Sequence, residues 1–334
     1  MLDMERREFI ALIGGGVLLL AAKLKRARAQ QAAMPVVGFL SIGSREPSDF
    51  LMPPFRQGLR EAGYVEDQNV KIEYRWAEDQ DHRLPDLAAD LVRRQVAVIA
   101  AAGGTAALAA KAATATIPIV FGTAFDPVEL GLVASLNRPG GNLTGVTNLN
   151  AEVGPKRLEL MHEMLPTATV FALLVDPHVG SAINDANSRN LQAAASTLGL
   201  KLHVLHASTE RDLDGVFASL VEIRADALVI APATFFSTRS EQLAALTVRY
   251  AVPAIYQFRP FATAGGLLSY GSSQREYYRL IGAYAGKILK GEKPADLPVQ
   301  QATKVELIIN LRTAKTLGIA IPLSLLGRAD EVIE

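Results

Sequence analysis

The sequence predicts an α/β fold of two wound lobes, each a mostly parallel sheet with helices on both faces, joined by a hinge of three chain crossings. Three observations point there. Short β-branched runs alternate with stretches of helical spacing, the alternation starts afresh after Gly154-Pro155, and further elements follow that have no place in a second complete unit.

Before the first lobe lies a charged start, Arg6-Arg7-Glu8-Phe9-Ile10, then an apolar run over 11–22 containing Gly14, Gly15 and Gly16. Lys23-Leu24-Lys25-Arg26 and an Ala27-Arg28-Ala29 site follow. These are the three parts of an export signal. The apolar run is shorter than the ~20 residues that cross a hydrocarbon core, so no permanent membrane anchor is expected. Paired arginines before a weakly hydrophobic, Gly-rich centre resemble a twin-arginine signal, with the general secretory route as the alternative. Residues 1–29 are therefore read as an export signal peptide cut near Ala29, and the remainder as periplasmic. That remainder exceeds what one core usually holds, so two domains are expected.

The first lobe opens with an apolar run over 36–40, closed by Ser41, Gly43 and Ser44, and continues with a helix over 50–63 spaced at Phe55, Leu59 and Ala62. Strands are then expected over 70–76, 96–101, 117–122 and 143–146, with helices over 82–94 and 105–113. The second series reads as helix 156–165, strand 170–175, helix 182–198, strand 201–205, helix 212–224, strand 227–230, helix 240–250 and strand 253–256. A strand over 267–270, a helix over 276–289, a break over 291–294, a strand over 305–309 and a helix over 312–317 complete the chain. The crossings are expected near 148–150, 258–263 and 294–300. These give a first lobe of 36–148 plus 264–293 and a second of 151–260 plus 298–334.

Composition narrows the function. The formal charge is zero, from 34 basic and 34 acidic side chains, and no Lys/Arg block follows residue 30, which argues against nucleic acid as a partner. With no cysteine, thiol catalysis and Cys-ligated metal are excluded. The five histidines show no His-Glu-x-x-His spacing, and no Gly-x-Ser-x-Gly elbow is present. No enzyme activity, cofactor or metal site is expected.

Several segments resemble, in order, the substrate-binding proteins of ABC transporters with the type I periplasmic-binding fold, in the branch associated with uptake of tryptophan and other aromatic amino acids. They are Arg6-Arg7-Glu8-Phe9-Ile10, the run from Phe55-Arg56-Gln57-Gly58 to Ala62-Gly63-Tyr64, Ile72-Glu73-Tyr74-Arg75-Trp76-Ala77, and Asp126-Pro127 ahead of Gly131-Leu132 to Gly141-Asn142. Ala264-Gly265-Gly266 to Tyr270-Gly271 and Ala285-Gly286-Lys287 to Lys293-Pro294 extend the likeness. Two loops depart from the family pattern: Val175-Asp176-Pro177 stands where Val-Asn-Pro is common, and Ala231-Pro232-Ala233-Thr234 lacks the usual acidic residue. The resemblance implies a solute trapped between lobes and delivered to a membrane permease with a cytoplasmic ATPase.

In wound sheets the ligand lies beyond the carboxyl ends of the strands. The candidate wall residues are therefore Ser41 and Ser44 after the first strand, Gly103, Gly104 and Thr105 at a strand-to-helix turn, and Asp126 and Asp176, each ahead of a proline. Phe235, Tyr256 and Tyr270 are candidates to sandwich a flat side chain. The glycines permit close approach to backbone, Thr105 is suited to cap the helix, and the helix start offers an anion site. Either aspartate is suited to a ligand ammonium, so an amino acid or related carboxylate is expected. Each candidate also has a bland reading, turn residues for the loop positions and core packing for the aromatics; His178, the one histidine placed near the cleft, has a surface loop as its bland reading. Two alternatives stay open, a ligand-sensing module for a membrane receptor and an exported enzyme using Asp126 or Asp176 as base.

Overall fold

The computed structural model describes residues 34–148, 150–179, 181–302 and 304–334; the expected export signal lies outside them. The described chain forms two sheets. The first runs β11-β5-β4-β3-β1-β2 and is wholly parallel, built from β1 (Val36–Ser41), β2 (Lys71–Trp76), β3 (Val98–Ala102), β4 (Ile119–Thr123), β5 (Leu143–Thr147) and β11 (Gln300–Gln301). The second runs β13-β12-β10-β9-β8-β6-β7, from β6 (Val170–Val175), β7 (Lys201–His206), β8 (Ala227–Ile230), β9 (Ala254–Tyr256), β10 (Leu268–Ser272), β12 (Val305–Asn310) and β13 (Glu331–Ile333). It is parallel except where β12 runs against β10.

The order β2-β1-β3-β4-β5 repeats as β7-β6-β8-β9-β10, so one wound unit occurs twice. The central strands are buried along their length: every residue of β3, β4 and β8 is covered, because helices lie on both faces of each sheet. Two apolar clusters flank the first sheet, around Phe39 and Phe55 on one side and Leu91 and Phe121 on the other. Two flank the second, around Phe171 and Met161 and around Phe217 and Phe236.

The crossings differ from the expected ones. The first falls at Asn148–Asn150, but the second is not near 258–263: helix Arg259–Thr263 stays with the second lobe, and β10 completes that lobe as its fifth strand, paired with β9. The chain crosses between Ser272 and Gln274, and helix Gln274–Leu289, followed by β11, lies in the first lobe. The third crossing comes after β11, which pairs with β5, so it lies between Gln301 and Val305. Residues 264–272 therefore belong with the second lobe, and 300–301 with the first.

Helix Gln274–Leu289 is placed in the first lobe by backbone contact with helix Met52–Glu61. A Cβ at Gly58 would stand 1.9 Å from the Arg279 carbonyl oxygen, and one at Gly282 would stand 2.0 Å from that of Phe55. Only glycine allows the two axes to come this close. At the hinge the fully buried Arg157 donates from Nε to the Tyr270 carbonyl (2.8 Å) and from Nη2 to that of Asn150 (2.6 Å). Asn150 Oδ1 in turn accepts the Ser272 N–H (3.1 Å), tying the first crossing to the second. Burial, with no carboxylate partner among the described residues, pulls the Arg157 pKa down to about 9. Among the described residues, no helix is long and apolar enough to cross a membrane.

Candidate functional site

Strand order reverses at β1/β3 in the first sheet and at β6/β8 in the second, and loops after these strands meet around one cavity. From the first lobe it is lined by Ile42 beyond β1, Gly103, Gly104 and Thr105 beyond β3, Ala124 and Phe125 beyond β4, and Asn148 beyond β5. The second lobe supplies Asp176 and His178 beyond β6, Pro232 to Thr234, Ser237 and Thr238 beyond β8, and Phe258 beyond β9. Leu51 and Asp81 from the first lobe and Gln274, Tyr277 and Tyr278 from the returning helix close it.

Four expected residues meet here: Gly103, Gly104, Thr105 and Asp176. Gly103 itself is the N-cap of helix Gly104–Ala113, at φ 106°, a conformation that favours glycine. Thr105 therefore lies inside the first turn instead of capping it. The first helical bond runs from the Ala107 N–H to the Gly103 carbonyl, which leaves the N–H groups of Gly104 and Thr105 without helical acceptors. The helix dipole adds a partial positive charge at the same end.

The other six candidates do not line this cavity, each for a local reason. Ser41 is buried and its Oγ accepts the Gly43 N–H (3.2 Å). Ser44 stands before the short helix Arg45–Ser48. Asp126 accepts the Val128 N–H through Oδ1 (2.7 Å), as an Asp-Pro turn requires. The Phe235 ring supports the Arg239 guanidinium, 4.2 Å above its centroid. Tyr256 is wholly buried, with its hydroxyl 2.8 Å from Thr247 Oγ1 and its ring stacked on Phe261. Tyr270 packs against the second-lobe core and offers its carbonyl to Arg157. Tyr256 ends β9, Tyr270 lies mid-way along β10 and Phe235 lies in the short helix Thr234–Ser237, and the side chains of all three are committed to packing.

The charged wall is richer than the sequence suggested. His178 is a cleft residue, with Nδ1 3.6 Å from Asp176 Oδ1 and 3.9 Å from Asp81 Oδ2, so it lies between acids of opposite lobes. Burial pushes the Asp176 carboxyl up to about 6; His178 pulls the other way, while Asp81 and Asp79 add to the rise. Burial likewise raises Asp81, opposed by His178. At the rim, Arg239 Nη2 of the second lobe donates to Asp79 Oδ2 of the first (2.8 Å), and both side chains are largely buried. Asp79 is held in the left-handed region (φ 57°) by its N–H bond to the Ile42 carbonyl (2.7 Å). The opposing walls also touch where Thr234 approaches Gly103 and Gly43: a Cβ on either glycine would lie 3.3 Å from Thr234.

Sequence reasoning missed Asp81, Tyr277 and Tyr278. The signal for Asp81, an acid shortly after a strand end, was present in the pattern. The two tyrosines reach the site on a helix whose crossing was misplaced.

Residues 44–333 match the family model described as ABC transporter substrate binding protein. A tyrosine-binding protein of Clostridioides difficile is 26% identical over 268 residues, covering 79% of this chain and 75% of the relative. Among solved structures, a conserved domain protein of Vibrio cholerae superposes with a TM-score of 0.81 at 26% identity, over 90% of this chain and 99% of the other. An ABC domain from Streptococcus pneumoniae, solved in complex with L-Trp, superposes with a TM-score of 0.80 at 24% identity, over 90% and 100%.

Proposed function

The chain belongs to the ABC transporter substrate-binding protein family, and we propose that it traps an amino acid with an aromatic side chain between its lobes. The observation that carries this reading is the pairing of opposite electrostatic ends in one cavity. The buried carboxyl of Asp176 and the half-buried one of Asp81 line the same cavity as the open N–H groups of Gly104 and Thr105. A zwitterion satisfies both at once, with its ammonium on the acids and its carboxylate on the helix start. Phe125, Phe258, Tyr277 and Tyr278 supply aromatic surface for a flat side chain. The relatives that bind tyrosine and L-Trp support the same ligand class.

Trapping works by closure. Ligand held by both lobes stabilises the closed arrangement by the difference in its affinity for the closed and open states. The closed form is then the one presented to a membrane permease with its ATPase, the partners the family implies. The segment 1–29 carries the features of an export signal, with Arg6-Arg7 as its twin-arginine pair, and delivery to the periplasm fits this role. A thermal-shift screen against the amino acids tests the ligand class. Tryptophan, tyrosine or phenylalanine at a hundredfold excess over the dissociation constant is expected to add about 2.7 kcal/mol of stability. A panel in which only sugars or non-aromatic acids shift the midpoint would overturn the reading.

A further inference from the structure

We infer that the hydroxyl of Tyr277 completes the carboxylate subsite begun by the helix start at Gly104 and Thr105, and that Gly122 exists to admit it. The inference rests on the amino-acid reading above and deepens it.

Tyr277 lies in the first turn of helix Gln274–Leu289 and is 6% exposed. Its hydroxyl makes no hydrogen bond among the described residues, and the residue lines the same cavity as Gly103, Gly104 and Thr105. The oxygen is not among the fully enclosed unpartnered polar atoms, so it keeps access to the cavity and is free to donate to a ligand there. The ring lies directly on Gly122 of β4: a Cβ there would stand 2.4 Å from Tyr277 Oη and 2.8 Å from Cζ. Gly122 is also the residue whose carbonyl accepts the Gly103 N–H (3.0 Å), so the phenol tip and the helix start both meet the carboxyl end of β4. Burial drives the phenol pKa well above its usual 10, which keeps the hydroxyl a neutral donor.

The local chemistry then selects the ligand group. A phenolic O–H and the unpaired N–H groups of Gly104 and Thr105 are three donors facing one cavity, and an oxyanion is what three donors hold. The acids Asp176 and Asp81 are grouped around His178, which leaves the ammonium to that wall. The subsite therefore requires a free carboxylate on the ligand, and an amine bearing the same aromatic ring without it forgoes the Tyr277 contact.

Calorimetric titration of the purified full chain with L-tryptophan and with tryptamine, direct or by competition, tests this. Tyr277→Phe is expected to weaken L-tryptophan about tenfold or more, as loss of a hydrogen bond to a charged group does. Its tryptamine affinity and ligand-free thermal midpoint should match the wild type. Gly122→Ala, which displaces the ring, is expected to reproduce the loss. Unchanged L-tryptophan binding in Tyr277→Phe overturns the assignment, as does an equal loss for both compounds, since packing alone would give that. A wild-type chain that binds neither compound overturns the aromatic amino-acid reading itself, before any variant is made.

Discussion

Burial pushes the Asp176 carboxyl from its ordinary 3.8 up to about 6, so the folded state favours the protonated acid. The sign of the linked stability follows. Below about pH 3.8 both folded and unfolded chains are protonated and nothing is lost. As pH rises towards 6 the unfolded chain releases its proton first, and the folded state loses stability on the order of 2–3 kcal/mol. Asp176→Asn is therefore expected to raise the ligand-free melting temperature at pH 8, with the gain vanishing near pH 3.5, while weakening binding of an amino acid about tenfold. Calorimetric melting at the two pH values and a titration at pH 8 check both halves; a variant that binds as tightly as the wild type contradicts the role given to this carboxyl. Asp176 was legible because a charged residue followed by proline at a strand end has few core positions open to it. Phe235 and Tyr256 misled, because an aromatic at the end of a strand or in the turn beyond it fits the core equally well and no local pattern separates the cases. His178 gave no sign that its neighbour Asp81 belongs to the other lobe.

Helix Gln274–Leu289 and helix Met52–Glu61 meet backbone to backbone at Gly58 and Gly282, a contact with no room for a methyl group. Gly282→Ala is expected to cost about 2–3 kcal/mol through overpacking against the Phe55 carbonyl. Gly215→Ala, in helix Glu210–Glu222, meets nothing within 4 Å and is expected to stabilise by about 0.5–1 kcal/mol through helix propensity alone. Denaturant unfolding of the two variants separates close approach from propensity; equal shifts of the same sign would contradict the close-contact account. The alternation of strand and helix could be read from the sequence because most buried strands, such as β3, β6 and β8, are short apolar runs, while helices such as Met52–Glu61 and Leu84–Arg93 carry a polar stripe. The lobe to which a late element belongs could not. Gly265-Gly266 ahead of β10 looks like a domain boundary, whereas Gly266 packs against Tyr256 and the Phe261 carbonyl within the second lobe. The spacing of Gly58 and Gly282, far apart in the chain, carries no local sign that they touch.

At the scale of the two lobes, the cleft mouth is bridged by Asp79 and Arg239, an ion pair that needs no ligand and whose Asp79 Oδ1 is buried with no partner among the described residues. The pair biases the open–closed equilibrium towards closure, and binding inherits the bias because a closed state more populated beforehand takes less of the ligand's free energy. Asp79→Asn keeps a residue that tolerates the left-handed backbone and removes the charge. It is expected to enlarge the ligand-free radius of gyration in small-angle scattering and weaken the ligand severalfold, with little change in melting temperature. Unchanged scattering and affinity would show the pair to be idle. The central claim, that this cleft holds an aromatic amino acid by its two charged ends, is tested most directly by titrating L-tryptophan, L-tyrosine and L-phenylalanine into the protein at pH 7 in a calorimeter, with a neutral pentose as the contrast. One-to-one binding of at least one aromatic amino acid, and none of the pentose, is the predicted result; binding of the pentose with no heat from any of the three amino acids would contradict it.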